Sequence, residues 1–199
     1  MAKALEFFFD FVSPTAYIAQ KIVPSVVVRT GAELIYRPMF LGGVMQATGN
    51  QPPGMIPAKG KYMLADLTRC AARYEMPLHF NAHFPMMNTR PLCGAMIRLN
   101  DRPEVQTKLF AAAWKHLWGT PDAIDPGNQD AVITALNAEG LEGEEIWSLG
   151  VEPDTKAMLR ANTEEAVARG AFGAPTFFVG QDMFFGHDRL DYAEEALGA

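Results

Sequence analysis

Cysteine is scarce in this chain: there are two in 199 residues, Cys70 and Cys93. Their separation excludes a C-x-x-C redox pair and a zinc knuckle built from neighbouring cysteines. The four histidines, His79, His83, His116 and His187, are scattered. Only His79 and His83 share an i, i+4 spacing, and Pro77 and Pro85 work against a regular helix there. No metal site is expected. Basic residues are outnumbered, 17 Lys and Arg against 23 Asp and Glu, for a net charge of −6. That balance argues against a general affinity for nucleic acid or an anionic membrane. Long apolar runs are missing too. No window approaches the roughly 18 residues that a membrane span needs. The opening MAKALEFFFD carries Glu6 and Asp10 and does not read as a signal peptide. A cytoplasmic protein with free thiols is the expectation.

What is present suffices for one globular core: 49% of the residues are hydrophobic and 20% charged. LEFFFDFV, Leu5 to Val12, reads as a strand buried on both faces. It runs straight into Ser13-Pro14, with Ser13 placed as a helix N-cap and Pro14 as the first helical residue. Pro24 is expected to break that helix into two pieces ending near Gly31. Ala32 to Arg37 reads as a second strand stopped by Pro38, which completes a βαβ unit. From Gly42, GGVMQATGNQPPGMIPAKG reads as a long ordered loop.

Helices follow. Met63, Leu67, Cys70 and Tyr74 form one apolar stripe, which makes Cys70 a buried packing residue. Glu104 to Trp118, Gln129 to Ala138 (closed at Gly140) and Asp154 to Arg169 (closed by Gly170) also read as helical. Thr176 to Val179 and Met183 to Phe185 flank a short turn and predict a hairpin. HDRLDYAEEALGA then predicts a terminal helix. This order predicts an α/β, thioredoxin-like fold with an inserted all-helical subdomain. Residues 1–42 and 171–199 would form the thioredoxin-like part and 43–170 the insertion.

A helix N-terminus gathers unpaired N–H groups and partial positive charge, so an anion placed there is stabilised. Redox members of such folds put a C-x-x-C motif at that point. Here the four residues are Ser13-Pro14-Thr15-Ala16, which excludes a dithiol cycle. The Ser13 hydroxyl is too weak an acid to serve as a base. It either caps the helix or donates a hydrogen bond to a thiolate supplied from outside. Given the fold, the Ala174-Pro175 bond is expected to be cis, with an unpaired backbone edge facing the helix tip and open to strand addition. In Phe185-Gly186-His187-Asp188-Arg189, Asp188 either holds an ammonium group or caps the last helix. His187 is a ligand contact or an exposed turn residue.

Four stretches, FDFVSPTAYIA, LGGVMQATGNQPPGMIPAKGKYM, GAFGAPTFFV and FGHDRLD, together resemble the kappa-class glutathione transferases and the bacterial 2-hydroxychromene-2-carboxylate isomerases. Both belong to the DsbA-like branch of thioredoxin folds, and the resemblance covers nearly the whole chain. It implies glutathione as cofactor. It further implies Ser13 at the sulfur, Asn50 on the tripeptide, Ala174 beside Pro175 offering backbone bonds to the cysteinyl unit, and Asp188 on the γ-glutamyl end. His187 stands where those families carry serine or asparagine.

Lys59 and Tyr62 match the kappa-class version of the second stretch. Met45 stands where naphthalene-pathway isomerases carry lysine, while MNTRPLCGAM and FGHDRLD look like the isomerase branch. The resemblance therefore implies first an isomerase that converts 2-hydroxychromene-2-carboxylate to trans-o-hydroxybenzylidenepyruvate in aromatic catabolism. The alternatives are a kappa-like transferase and a non-catalytic peptide-binding module. Arg37, Lys59 and Arg90 are the candidate cations for the substrate carboxylate, and Met39-Phe40 and Phe84 to Met87 the candidate walls for its ring. A homodimer is expected.

Overall fold

The computed structural model describes residues 3–198. Its four strands are β1 (Ala4–Phe9), β2 (Glu33–Pro38), β3 (Thr176–Val179) and β4 (Asp182–Phe185). The helices are α1 (Pro14–Thr30), α2 (Leu41–Thr48), α3 (Pro57–Arg73), α4 (Arg90–Arg98), α5 (Pro103–Trp118), α6 (Gln129–Ala138), α7 (Gly143–Val151), α8 (Pro153–Ala168) and α9 (Leu190–Leu197). The sheet order is β2-β1-β3-β4. β1 and β2 are parallel, with Phe7 opposite Tyr36, and α1 supplies the crossover that a parallel pair requires. β3 runs antiparallel to β1, with Phe7 opposite Phe177, and β4 closes the hairpin. This is the thioredoxin-like α/β fold that the element order predicts, and α2 to α8 lie between β2 and β3.

Successive side chains of a strand point to opposite faces, and both faces of β1 are covered. Leu5, Phe7 and Phe9 enter the main core with residues of α1, α5 and α9, whereas Phe8 enters a second core with α2 and α8. Phe7 stacks on Phe177 with centroids 4.8 Å apart, and Phe9 meets Phe110 edge-on at 5.2 Å. The strand stops at Phe9 rather than Val12, because Asp10 turns its carboxylate inward and bends the chain into Ser13. Among the described residues no helix is long and apolar enough to cross a membrane.

Two expectations are corrected. α1 is one uninterrupted helix, closed by Gly31 at φ 63°, with Pro24 inside it. Pro24 is exposed, while Ile18, Ala19, Val23 and Val26 are buried on the opposite face. Their burial outweighs the one hydrogen bond that proline removes. The stretch from Gly42 is a loop only over residues 49–56: it begins with α2 and ends in α3. A Cβ at Gly42 would lie 2.8 Å from Phe40 Cζ, and one at Gly43 would lie 3.3 Å from Thr163 Cγ2. The glycines let Phe40 and α8 pack against the helix, and tertiary packing overrides their poor helix propensity. α4 and α7 are helices that the sequence pattern did not announce. They cross closely, and a Cβ at Gly150 would meet the Pro91 carbonyl oxygen at 2.1 Å.

Candidate active site at the tip of the first helix

Asp10 builds the approach to Ser13, and sequence reasoning missed it. Its carboxylate is buried; Oδ2 accepts from Leu41 N at 2.9 Å, and Oδ1 accepts from Val12 N at 3.1 Å and from the Thr89 hydroxyl. Burial pushes its pKa up, and these hydrogen bonds pull it part of the way back. The backbone carbonyl of Asp10 accepts from Ser13 N at 3.0 Å. Cys93 lies alongside, with Sγ 3.7 Å from Asp10 Oδ1. Burial, with Asp10 adding to it, raises that thiol's pKa well above normal, so it stays protonated and unreactive.

Ser13 does two things at once. Its oxygen caps α1 by accepting from Ala16 N at 3.2 Å, and its hydroxyl donates to the Ala174 carbonyl at 3.1 Å. The Thr15 hydroxyl lies 2.9 Å from Ser13 Oγ and donates to the same carbonyl at 2.9 Å. Capping and a position facing the Pro175 loop are therefore one arrangement. The Ala174–Pro175 peptide is cis. Two hydroxyls occupy the Ala174 carbonyl, so the edge is not wholly unpaired. The Ala174 N–H lacks a hydrogen-bond partner among the described residues. The Pro175 carbonyl accepts from Gly186 N at 2.9 Å, which ties this loop to the last turn.

Asn50 and the segment before Pro175 meet: Asn50 Nδ2 donates to the Phe172 carbonyl at 2.8 Å. His187 and Asp188 sit in a short 3₁₀ turn, His187–Arg189. His187 is not an exposed turn residue, for its Nε2 lies 3.3 Å from Cys70 Sγ. Burial lowers the imidazole pKa, and burial with nearby Asp66 raises that of the thiol. The pair is neutral and in hydrogen-bond contact. Cys70 thus does more than fill an apolar stripe. Asp188 caps no helix; its exposed carboxylate accepts from Arg189 Nη1 at 2.9 Å. Lys59 and Tyr62 stand exposed on the first turns of α3.

The remaining cations part company. Arg37 is committed elsewhere: it pairs with Glu6 at 3.5 Å and with Glu165, and lies over the Phe8 ring. It braces α8 on the sheet and does not join Ser13. Arg90 opens α4, with its guanidinium 5.5 Å from the Phe40 centroid and Nε donating to Asn88 at 2.9 Å. It rims a cavity of about 880 Å³ that Phe40, Trp147, Val151, Leu159 and Lys156 also line. Phe40 precedes Leu41, and Asn88 and Arg90 flank Thr89, so this cavity hangs on the same Asp10 carboxylate that sets Ser13. Of the residues expected to wall a ring, only Phe40 lines it. Met39 and Met87 are buried in cores, Phe84 packs on Trp118, and Met86 faces solvent.

Comparison with known proteins decides the family, since residues 4–198 match the model of the DSBA-like thioredoxin domain. The chain belongs to the DSBA-like thioredoxin family. A 2-hydroxychromene-2-carboxylate isomerase from Sphingobium xenophagum is 37% identical over 99% of both chains. The human glutathione S-transferase kappa 1 is 29% identical over 100% of this chain and 92% of its own. A solved 2-hydroxychromene-2-carboxylate isomerase superimposes with a TM-score of 0.85 at 25% identity, covering 98% of this chain and 94% of the other. A probable DsbA oxidoreductase from Streptomyces coelicolor shares the fold, with a TM-score of 0.74 at 18% identity over 98% and 88% of the two chains. Within this DSBA-like family, Ser13 and Ala16 leave the first helix without a thiol.

Proposed function

We propose that this chain is a glutathione-dependent isomerase of aromatic carboxylic acids that converts 2-hydroxychromene-2-carboxylate to trans-o-hydroxybenzylidenepyruvate. The observation that carries the reading is a buried hydroxyl, Ser13, at a helix tip facing the Ala174 carbonyl just before cis-Pro175, where a redox protein would need a thiol. The relatives of that name, similar end to end, support the choice of reaction.

The donor set fits glutathione. Ser13 and the start of α1 suit an anionic sulfur. The free Ala174 N–H suits a peptide carbonyl, and the exposed Asp188 carboxylate suits an ammonium group. Asn50, placed by its bond to Phe172, closes the edge. Glutathione, when bound, supplies a thiolate able to add reversibly to a conjugated carbon, so that a former double bond can rotate.

Ser13 holds the charge on that sulfur by hydrogen bonding. It abstracts no proton, because no base touches it. Arg90 is the cation we assign to the substrate carboxylate, since it alone of the three candidates borders an apolar cavity of ligand size. Phe40, beneath its guanidinium, offers a face to an aromatic ring.

The test is chromene absorbance followed with catalytic glutathione while free thiol is counted. An isomerase turns the chromene over with thiol unchanged. Loss of one thiol per electrophile would establish instead the kappa-like transferase, which the Lys59 and Tyr62 stretch favours. Ser13→Ala should keep the fold and lose turnover roughly 100-fold; near-wild-type kcat would remove Ser13 from the mechanism.

A further inference from the structure

We propose that Thr15 is a positioning residue that releases the Ser13 hydroxyl for an anionic sulfur; the inference rests on the reading of Ser13 above. Three oxygens form a triangle at the tip of α1. Ser13 Oγ lies 3.1 Å from the Ala174 carbonyl, Thr15 Oγ1 lies 2.9 Å from the same carbonyl, and the two hydroxyls are 2.9 Å apart. Each hydroxyl carries one hydrogen, so two hydrogens serve three contacts. The Ser13 oxygen is at the same time held as acceptor by Ala16 N–H.

Without Thr15, the single Ser13 hydrogen would face a choice. Ala174 is buried, with only 8% of its surface exposed, and turning the hydrogen toward sulfur would strip its carbonyl of its donor. A buried carbonyl left unpaired is costly, so Ser13 would stay on it and donate poorly to sulfur. With Thr15 present, the accounting changes. Thr15 keeps its hydrogen on the carbonyl at the shorter of the two distances, and Ser13 rotates its own to the sulfur. No proton passes between protein groups, and the thiol's own proton leaves to solvent. Thr15 does not touch the sulfur. Its branched Cβ restricts its rotamer and holds its hydroxyl in place.

The prediction is read on the ultraviolet absorbance of bound glutathione thiolate, titrated with pH in the wild type and in Thr15→Val, Thr15→Ala and Thr15→Ser. Affinity for S-methylglutathione, which has no ionisable thiol, is the control. We expect the wild type to hold the thiol more acidic than its reference near ~8.5. Thr15→Val and Thr15→Ala should weaken that acid roughly tenfold, the order of effect of one lost hydrogen bond. Thr15→Ser should restore it, and S-methylglutathione affinity should not change. If Thr15→Val and Thr15→Ala titrate as the wild type does, Thr15 has no such role. A loss of S-methylglutathione affinity equal to the loss of thiol acidity would reduce Thr15 to a structural part. If the wild type itself leaves the thiol at its free acidity, it is the reading of Ser13 that fails.

Discussion

Asp10 is the residue on which the most separate pieces of backbone depend. Its carboxylate accepts from Leu41 N, Val12 N and the Thr89 hydroxyl, and its carbonyl accepts from Ser13 N. Removing it leaves those three donors, and the weaker Cys93 thiol donor, without a partner in a buried place. We expect Asp10→Ala to lower stability by about 2–4 kcal/mol in urea unfolding, since orphaned buried donors cost about 1–3 kcal/mol each and the relief of burying a carboxylate offsets part of the sum.

His187 titrates in the opposite sense to a partnered surface histidine. Burial against Cys70 lowers its pKa below the usual 6.5. Above pH 6.5 both folded and unfolded imidazoles are neutral, and the contact contributes in full. As pH falls below that value the unfolded chain takes up a proton that the folded chain resists, so stability declines toward the lower folded pKa. The difference in unfolding free energy between wild type and His187→Gln should therefore shrink as pH falls below 6.5, and a pH-independent difference would contradict the buried neutral pair.

Ser13 and Pro175 were legible in the sequence because strand order alone puts them at one end of the sheet. Asp10 and Thr15 were not, for their partners Leu41, Thr89 and Ala174 are remote in the chain.

Among the elements, α1 shows how little a single proline decides when one helix face is fully buried. Pro24 sits on the exposed side and the helix runs through it to Gly31. Pro24→Ala returns an N–H to the ladder and removes nothing from the core. It should raise stability by about 1–3 kcal/mol, measured by thermal unfolding. The same logic explains which elements were legible. α6 and α8 run up to glycines in the left-handed region, Gly140 and Gly170, and β3 with β4 flanks an evident turn. α2 and α7 are rich in glycine because other parts of the chain pack onto their backbones, at Phe40 and at Pro91. Glycines used for close approach look, in sequence, like glycines used for a loop.

At the scale of the whole molecule, the fold gathers four distant segments, around Ser13, Asn50, Ala174 and Asp188, on one edge. The large cavity is built from the middle of the chain, by α2, α4, α7 and α8. The two are joined through Asp10, which fixes both the turn into Ser13 and the strands of backbone beside Phe40 and Arg90. In the proposed reading the helix tip takes the thiol and the apolar, cation-rimmed cavity takes the aromatic acid.

The most direct test is a crystal structure of the protein with glutathione bound. We expect its sulfur within hydrogen-bonding distance of Ser13 Oγ and its cysteinyl backbone on Ala174 N–H. Glutathione bound in the cavity beneath Arg90, or with its sulfur away from Ser13, would contradict the proposed site.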